Sequence, residues 1–165
     1  MARDSAASTT VKTFVVCDSG ELALAESCGI SFSRDRHIQG AIELRLQGVL
    51  ILGRDEVDTI DALWSLLLTY LENFIAGRQG TFSFPERRFA LVLKRMPGGA
   101  VAVKFTDEGM RRSVVLPEKS ALRVLTSGAV EFFSAVLRGS PKDEWSYRRD
   151  LNTAVRLREE LSRIE

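Results

Sequence analysis

Apolar and polar positions along this chain follow two rhythms, and the rhythm changes at well-marked turns. Val11–Asp18 (VKTFVVCD) is β-branched and aromatic and reads as a strand. Asp18-Ser19-Gly20 is a turn signal, because Asp and Ser bond nearby backbone and Gly accepts positive φ. Glu21–Ser33 alternates through Leu22, Leu24 and Glu26, then Cys28, Ile30 and Phe32, which predicts a strand with an irregularity near Gly29. Arg34–Gly40 is polar, ends in Gly and reads as a loop. Ala41–Gly53 opens with Ile42, Leu44 and Leu46 on one face and Glu43, Arg45 and Gln47 on the other. Gln47-Gly48 then reads as a hairpin turn in preference to a bulge.

The rhythm becomes helical from Asp55 to Ala76. Val57, Ile60, Leu63, Trp64, Leu67, Leu68, Leu71, Phe74 and Ile75 recur on one helical face, widened by Ala62, Leu66 and Tyr70. Asp58 and Asp61 are spaced like a capping box, with Asp55 as an earlier candidate cap, and Gly77 stops the helix. A second β region follows. Thr81–Phe84 is short; Phe89–Met96 and Ala100–Thr106 flank a Pro97-Gly98-Gly99 turn; Asp107-Glu108-Gly109 turns into a third strand, Met110–Leu116. Pro117 suits the first turn of a helix running to Arg138, with Leu122, Leu125, Ala129, Phe132, Phe133 and Val136 as its stripe and Gly139 as its stop.

Ser140-Pro141-Lys142-Asp143 has the cap, first-position proline and acidic residue of a new helix start. The last helix carries a thin seam of Tyr147, Leu151, Ala154, Val155, Leu161 and Ile164, with Glu144–Arg148 and Glu159–Arg163 as spaced ion pairs. The expected fold is therefore α+β, with mainly antiparallel sheet from two units of β-meander then helix, plus a C-terminal helix. Residues 1–10 read as a disordered tail, 11–139 as one domain, and 140–165 as a helix packed on that domain or at an oligomer interface, with a homodimer through it as one partner expectation.

Composition narrows the function classes. Over 165 residues, 23 Lys+Arg balance 22 Asp+Glu for a net charge of +1, which gives no long-range attraction to nucleic acid or anionic membranes. No stretch reaches the roughly 18–20 apolar residues of a membrane span, and the Ala/Ser/Thr-rich start lacks the apolar core of a secretory signal. A soluble cytoplasmic protein is the expectation. Cys17 and Cys28 read as small apolar residues on strands, with a bridge open to them if those strands pair.

Catalytic chemistry has little to stand on. His37 is the sole histidine, sits in a polar loop, and has no nucleophile motif to serve. Asp55, Glu56, Asp58 and Asp61 are carboxylates where a helix start wants them, without the spacing of a calcium loop. Pro97-Gly98-Gly99 joins two strands and precedes no helix, so it is a turn and not a phosphate cradle. No cofactor or metal is expected. Trp64, Phe132 and Phe133 are placed as core. The features left over are arginine pairs, Arg87-Arg88, Arg111-Arg112 and Arg148-Arg149, with Arg34 and Arg36, and Trp145 off the last helix's seam. Neighbouring strand residues point to opposite faces, so each strand pair offers one arginine per face. Arg87, Arg88, Arg111, Arg112, Trp145, Arg148 and Arg149 are accordingly the candidate partner-binding residues.

The run of meander, acidic start, Trp-bearing helix (GVLILGRDEVDTIDALWSLLLTYLENFIAG) and Gly-turned hairpin (FALVLKRMPGGAVAVKF) resembles small bacterial immunity-type proteins over about residues 41–137. The resemblance implies toxin neutralisation by binding and transfers no site residues. The expected function is a non-catalytic protein-binding module acting through an exposed strand edge or a charged sheet face. The alternative is a small-ligand-binding or modestly catalytic domain using arginines and carboxylates in a pocket between sheet and helix.

Overall fold

A computed structural model describes residues 8–139 and 144–164. The first half builds a sheet from β1 (Thr10–Val16), β2 (Leu22–Leu24), β3 (Gln39–Leu46), β4 (Val49–Leu52) and β5 (Asp58–Thr59), in the order β2-β1-β3-β4 with β5 also on β3. Helix α1 (Ile60–Ile75) follows. The second half builds a separate antiparallel sheet, β6 (Phe82–Ser83), β7 (Ala90–Met96), β8 (Ala100–Thr106) and β9 (Arg111–Pro117), in sequence order. Helices α2 (Glu118–Gly139) and α3 (Glu144–Arg163) complete the chain. The fold is α+β with antiparallel sheets, as the periodicity predicts, and the β residues form two sheets.

One apolar cluster joins both sheets to all three helices. Trp64 on α1 is fully buried, stacks beside Phe132 of α2 (ring centroids 6.3 Å apart), and donates its indole N–H to Thr13 of β1 at 3.0 Å. The predicted stripe of α2 is buried throughout, with Ala121, Thr126 and Gly128 as additional interior positions. Gly128 is required by contact: a Cβ there would lie 2.8 Å from both Trp64 and Val11.

Several boundaries differ from the sequence expectation, each for a tertiary reason. The N-terminal tail reading fails at its end: the Gln47 and Gly48 amides donate to Thr9 Oγ1 and the Ser8 carbonyl, which ties that segment to the β3–β4 turn. Residues 1–7 lie outside the described part. Gln47 and Gly48 have φ of 49° and 79°, the positive pair a two-residue hairpin turn needs. Glu21–Ser33 is not one strand. Its pairing with β1 ends at Leu24, where Ser27 N–H bonds the Leu24 carbonyl and turns the chain away. Gln39 and Gly40 belong to β3 and not to the preceding loop, because they pair with Thr59 and Asp58.

That same pairing delays α1. Asp58 and Thr59 are held as strand, so the helix begins at Ile60 and not at Asp55, and Thr59 caps it without a side-chain bond. Asp58 and Asp61 are therefore interior groups, 0% and 3% exposed, and not caps on a solvated helix start. Leu66 is 47% exposed, so the α1 stripe is narrower than predicted.

Cys17 and Cys28 are disulfide-bonded with Cα atoms 6.1 Å apart, correcting their reading as simple apolar residues. Closing this loop, 11 residues long, stabilises the fold by about 3 kcal/mol in the chain-entropy account. Helix α2 is long and apolar enough to cross a membrane by length and composition, contrary to the sequence reading, yet half of its most apolar window is buried in this fold, the pattern of a core helix. On α3, Tyr147, Ala154 and Leu161 are buried against α1 and α2, Leu151 and Val155 are half-buried, and Ile164 is exposed. Ser146, Asp150 and Leu157 are buried positions the seam reading omitted. Glu144 and Arg148 pair, and among the described residues Arg156–Glu160 forms while Glu159–Arg163 does not. The proposed cap at Ser140–Asp143 lies outside the described residues.

Candidate functional site

The β7–β8–β9 meander is a regular ladder with directly opposed residues, so its two faces can be read from the register. One face carries Leu91, Leu93, Val101, Val103, Phe105 and Leu116, all buried in the shared core. Among the described residues no helix covers the other face, where Lys94, Lys104, Arg111 and Val115 are exposed. Its rows run Ala90, Thr106, Arg111; then Val92, Lys104, Ser113; then Lys94, Ala102, Val115; then Met96, Ala100, Pro117.

Lys94, Lys104 and Arg111 fall one row apart on successive strands, so they form a diagonal line across the face. Diagonal neighbours on a sheet are about 7–8 Å apart. All three are exposed, and among the described residues none has an ion-pair partner. The face holds no Asp or Glu. On one side of the line lie Met96, Ala100, Ala102, Val115 and Pro117, with Ser113 beside Lys104; Val115 is 53% and Met96 38% exposed, while Ala102 is buried. The diagonal is thus a row of uncompensated cations bordering an apolar strip.

The predicted arginine pairs divide as strand geometry requires. Arg111 joins the open face. Arg112 points inward, where it pairs with Glu56, donates to the Ile51 carbonyl at 3.2 Å and lies 5.4 Å from the Phe105 ring centroid. Its charge ties the two sheets together and is not free for a partner, because Glu56 is 3% exposed. Arg88 stands at the rim of the open face, 3.4 Å from Glu108 in the β8–β9 turn. Arg87 is exposed, and its backbone N–H donates to Asp58. Trp145, Arg148 and Arg149 are exposed on α3, with Trp145 at 73%. Since α3 packs chiefly on α2 and α1, these three do not join Arg111.

A second polar region lies at the start of α1. Asp61 accepts the Tyr147 hydroxyl at 2.9 Å, with Arg34 at 3.9 Å. Arg34 also donates to Asp150 at 2.5 Å and to Ser146 at 3.0 Å, and its guanidinium sits 4.3 Å from the Tyr147 ring centroid. Asp58 accepts the backbone N–H groups of Glu86 and Arg87, both at 3.1 Å, and fixes the turn before β7. Between these groups opens a cleft of about 280 Å³ lined by Arg34, Arg36, His37, Thr59, Asp61, Ala62, Pro85 and Glu86. His37 and Glu86 face each other across its mouth at 3.6 Å. The network behind the cleft spends its charges on one another, and among the described residues no three His, Cys, Asp or Glu side chains converge as metal ligands.

Sequence reading passed over Lys94 and Lys104 because it sought adjacent arginines. The signal was present: with turns fixed at Pro97-Gly98-Gly99 and Asp107-Glu108-Gly109, counting residues places both lysines on the face of Arg111. Asp61, Tyr147 and Asp150 had no such signal, since the contacts that bring α3 to Asp61 and Arg34 span 86 and 116 residues. No protein-family model, no curated protein and no solved structure matches this chain.

Proposed function

We propose that the chain is a non-catalytic protein-binding module, of immunity type, whose docking surface is the open face of β7–β9. The observation that carries this reading is the unpaired diagonal of Lys94, Lys104 and Arg111 beside an apolar half-face. Exposed cations without internal partners break no existing ion pair when they meet an acidic surface, and the adjoining apolar strip supplies the area that electrostatics alone does not. Arg88 at the rim is already paired with Glu108 and adds no free charge. By the immunity reading, the partner is a toxin whose acidic surface is covered on binding.

The test uses the wild type and the K94E/K104E/R111E variant as baits in extract from the native host. Any captured protein is identified, purified and rebound. Binding to the wild type is expected to weaken steeply with salt and to fall at least about 10-fold in the variant. An undiminished affinity in the variant removes the face from the function. Tight binding of a metabolite with no protein partner overturns the module itself.

A second reading is favoured by one observation, the cleft walled by Arg34, Arg36, His37, Asp61 and Glu86. It makes the protein a binder of a small polar ligand. A thermal-shift screen against metabolites and metal ions tests it, and flat responses throughout would remove it.

A further inference from the structure

We infer that the element docking on the open face is an amphipathic α-helix of a partner protein, with an acidic flank laid along the Lys94–Lys104–Arg111 diagonal. The inference rests on the protein-binding reading and adds the shape and chemistry of what is bound. The face offers two neighbouring strips, a cation row and a mainly apolar half whose exposed apolar members are Met96, Val115 and Pro117, with Ser113 beside Lys104. The row spans two diagonal steps, about 15 Å. A helix rises about 1.5 Å per residue, so about three turns cover that length. A helix also displays an apolar stripe and an acidic stripe side by side on one surface. An extended chain turns alternate residues away and presents a single line instead.

Between the exposed Met96 and Pro117 stands Ala100, whose single methyl keeps that row low, while Ala102 in the next row is itself buried. The inward face of the same sheet already packs against the chain's own core, so a helix on the outer face would complete a layer arrangement common to α+β domains. Nucleic acid fits less well. The face carries no aromatic side chain on which bases could stack, and the chain's net charge is only +1.

The experiment titrates the full chain into three dye-labelled peptides at low salt and follows fluorescence anisotropy. The first is an amphipathic helical peptide with a Leu/Ala stripe flanked by Glu. The second has the same stripe flanked by Lys. The third has the first peptide's composition in scrambled order. The Glu-flanked peptide is expected to bind at least about 10-fold tighter than either control, and to lose that advantage with K94E/K104E/R111E and with V115D. All these positions are exposed, and the variants' unchanged circular dichroism and melting temperature confirm that folding is not the cause of loss. Equal binding of all three peptides overturns the inference. So does tighter, diagonal-dependent binding of single-stranded DNA, or of phosphatidylserine vesicles. Capture of a native partner that needs the same face, combined with indifference to the helical peptide, would retain the protein-binding reading and reject the helix.

Discussion

Removing one oxygen from Tyr147 is expected to loosen the last helix from the rest of the molecule. The Tyr147 hydroxyl donates to Asp61 Oδ2 at 2.9 Å, the tyrosine is fully buried, and the Asp61 side chain is 5% exposed. A hydrogen bond to a charged group contributes about 1.5–3 kcal/mol, and a buried acceptor stripped of its donor adds a desolvation cost of about 1–3 kcal/mol. Arg34 remains near Asp61 at 3.9 Å, which offsets part of that cost. We therefore expect Tyr147→Phe to lower stability by about 2–3 kcal/mol, a fall of about 5–10 °C in Tm for a chain of this size. Urea unfolding followed by circular dichroism measures it, in a cycle with Asp61→Ala and the double variant. Asp61→Ala also removes the carboxylate that accepts the Ala62 N–H at 2.9 Å, so it is expected to cost more by itself. The double variant should cost at least about 1 kcal/mol less than the sum, because both singles break the same bond. A loss below about 0.5 kcal/mol for Tyr147→Phe, or strict additivity in the cycle, would refute the account of this contact as one of the polar attachments of α3, beside Arg34–Asp150.

The remaining expectations concern the core, the sheet junction and high pH. Gly128→Ala, ordinarily favourable inside a helix, is expected to destabilise by about 1–3 kcal/mol in thermal melts, because the new methyl meets Trp64 and Val11; a gain in stability would contradict the packing. Glu56→Gln leaves Arg112 facing a neutral partner between the sheets, and by the cost of breaking buried pairs it should lower stability by about 3–5 kcal/mol, whereas Glu56→Leu with Arg112→Leu recovers most of the loss in urea titrations. Burial pushes the Tyr70 hydroxyl above its usual pKa of 10.0, opposed by the N–H of Leu93 that donates to it. Since the folded state holds that proton longer than the unfolded one, this contribution is intact below about pH 10 and is lost as pH rises beyond it. Denaturant midpoints measured from pH 9 to 11 should fall more steeply in the wild type than in Tyr70→Phe.

Local signals were legible and long-range ones were not. The stripe Leu63, Trp64, Leu67, Leu68, Leu71 and Phe74 announces α1, because helical periodicity is written within a few turns of chain. The β7–β8–β9 meander was legible from its turn residues, and the cation diagonal follows from the period of two on either side of those turns. What escaped detection is what depends on distant partners. The strand state of Asp58 needs Gly40, and its side chain needs the turn at Glu86 and Arg87. A carboxylate near a helix start has a ready local explanation, the positive end of the dipole, and that explanation hid the interior roles of both Asp58 and Asp61. Arg111 and Arg112 look alike in sequence, yet the pleat sends one to the open face and the other into Glu56.

The Tyr147–Asp61 bond also has a consequence for the order in which the molecule can be made. The two residues are 86 positions apart, so at synthesis rates of about 5–20 residues per second the Asp61 carboxylate waits roughly 4–17 seconds for its hydroxyl donor to be polymerised. Until then Asp61, on the face of α1 that α3 will cover, has Arg34 as its charged neighbour, 3.9 Å away in the finished fold. The polar centre of that face is thus finished only by the last helix, and a chain cut short before α3 would leave Asp61 and Arg34 without the Tyr147 and Asp150 groups that meet them in the complete fold.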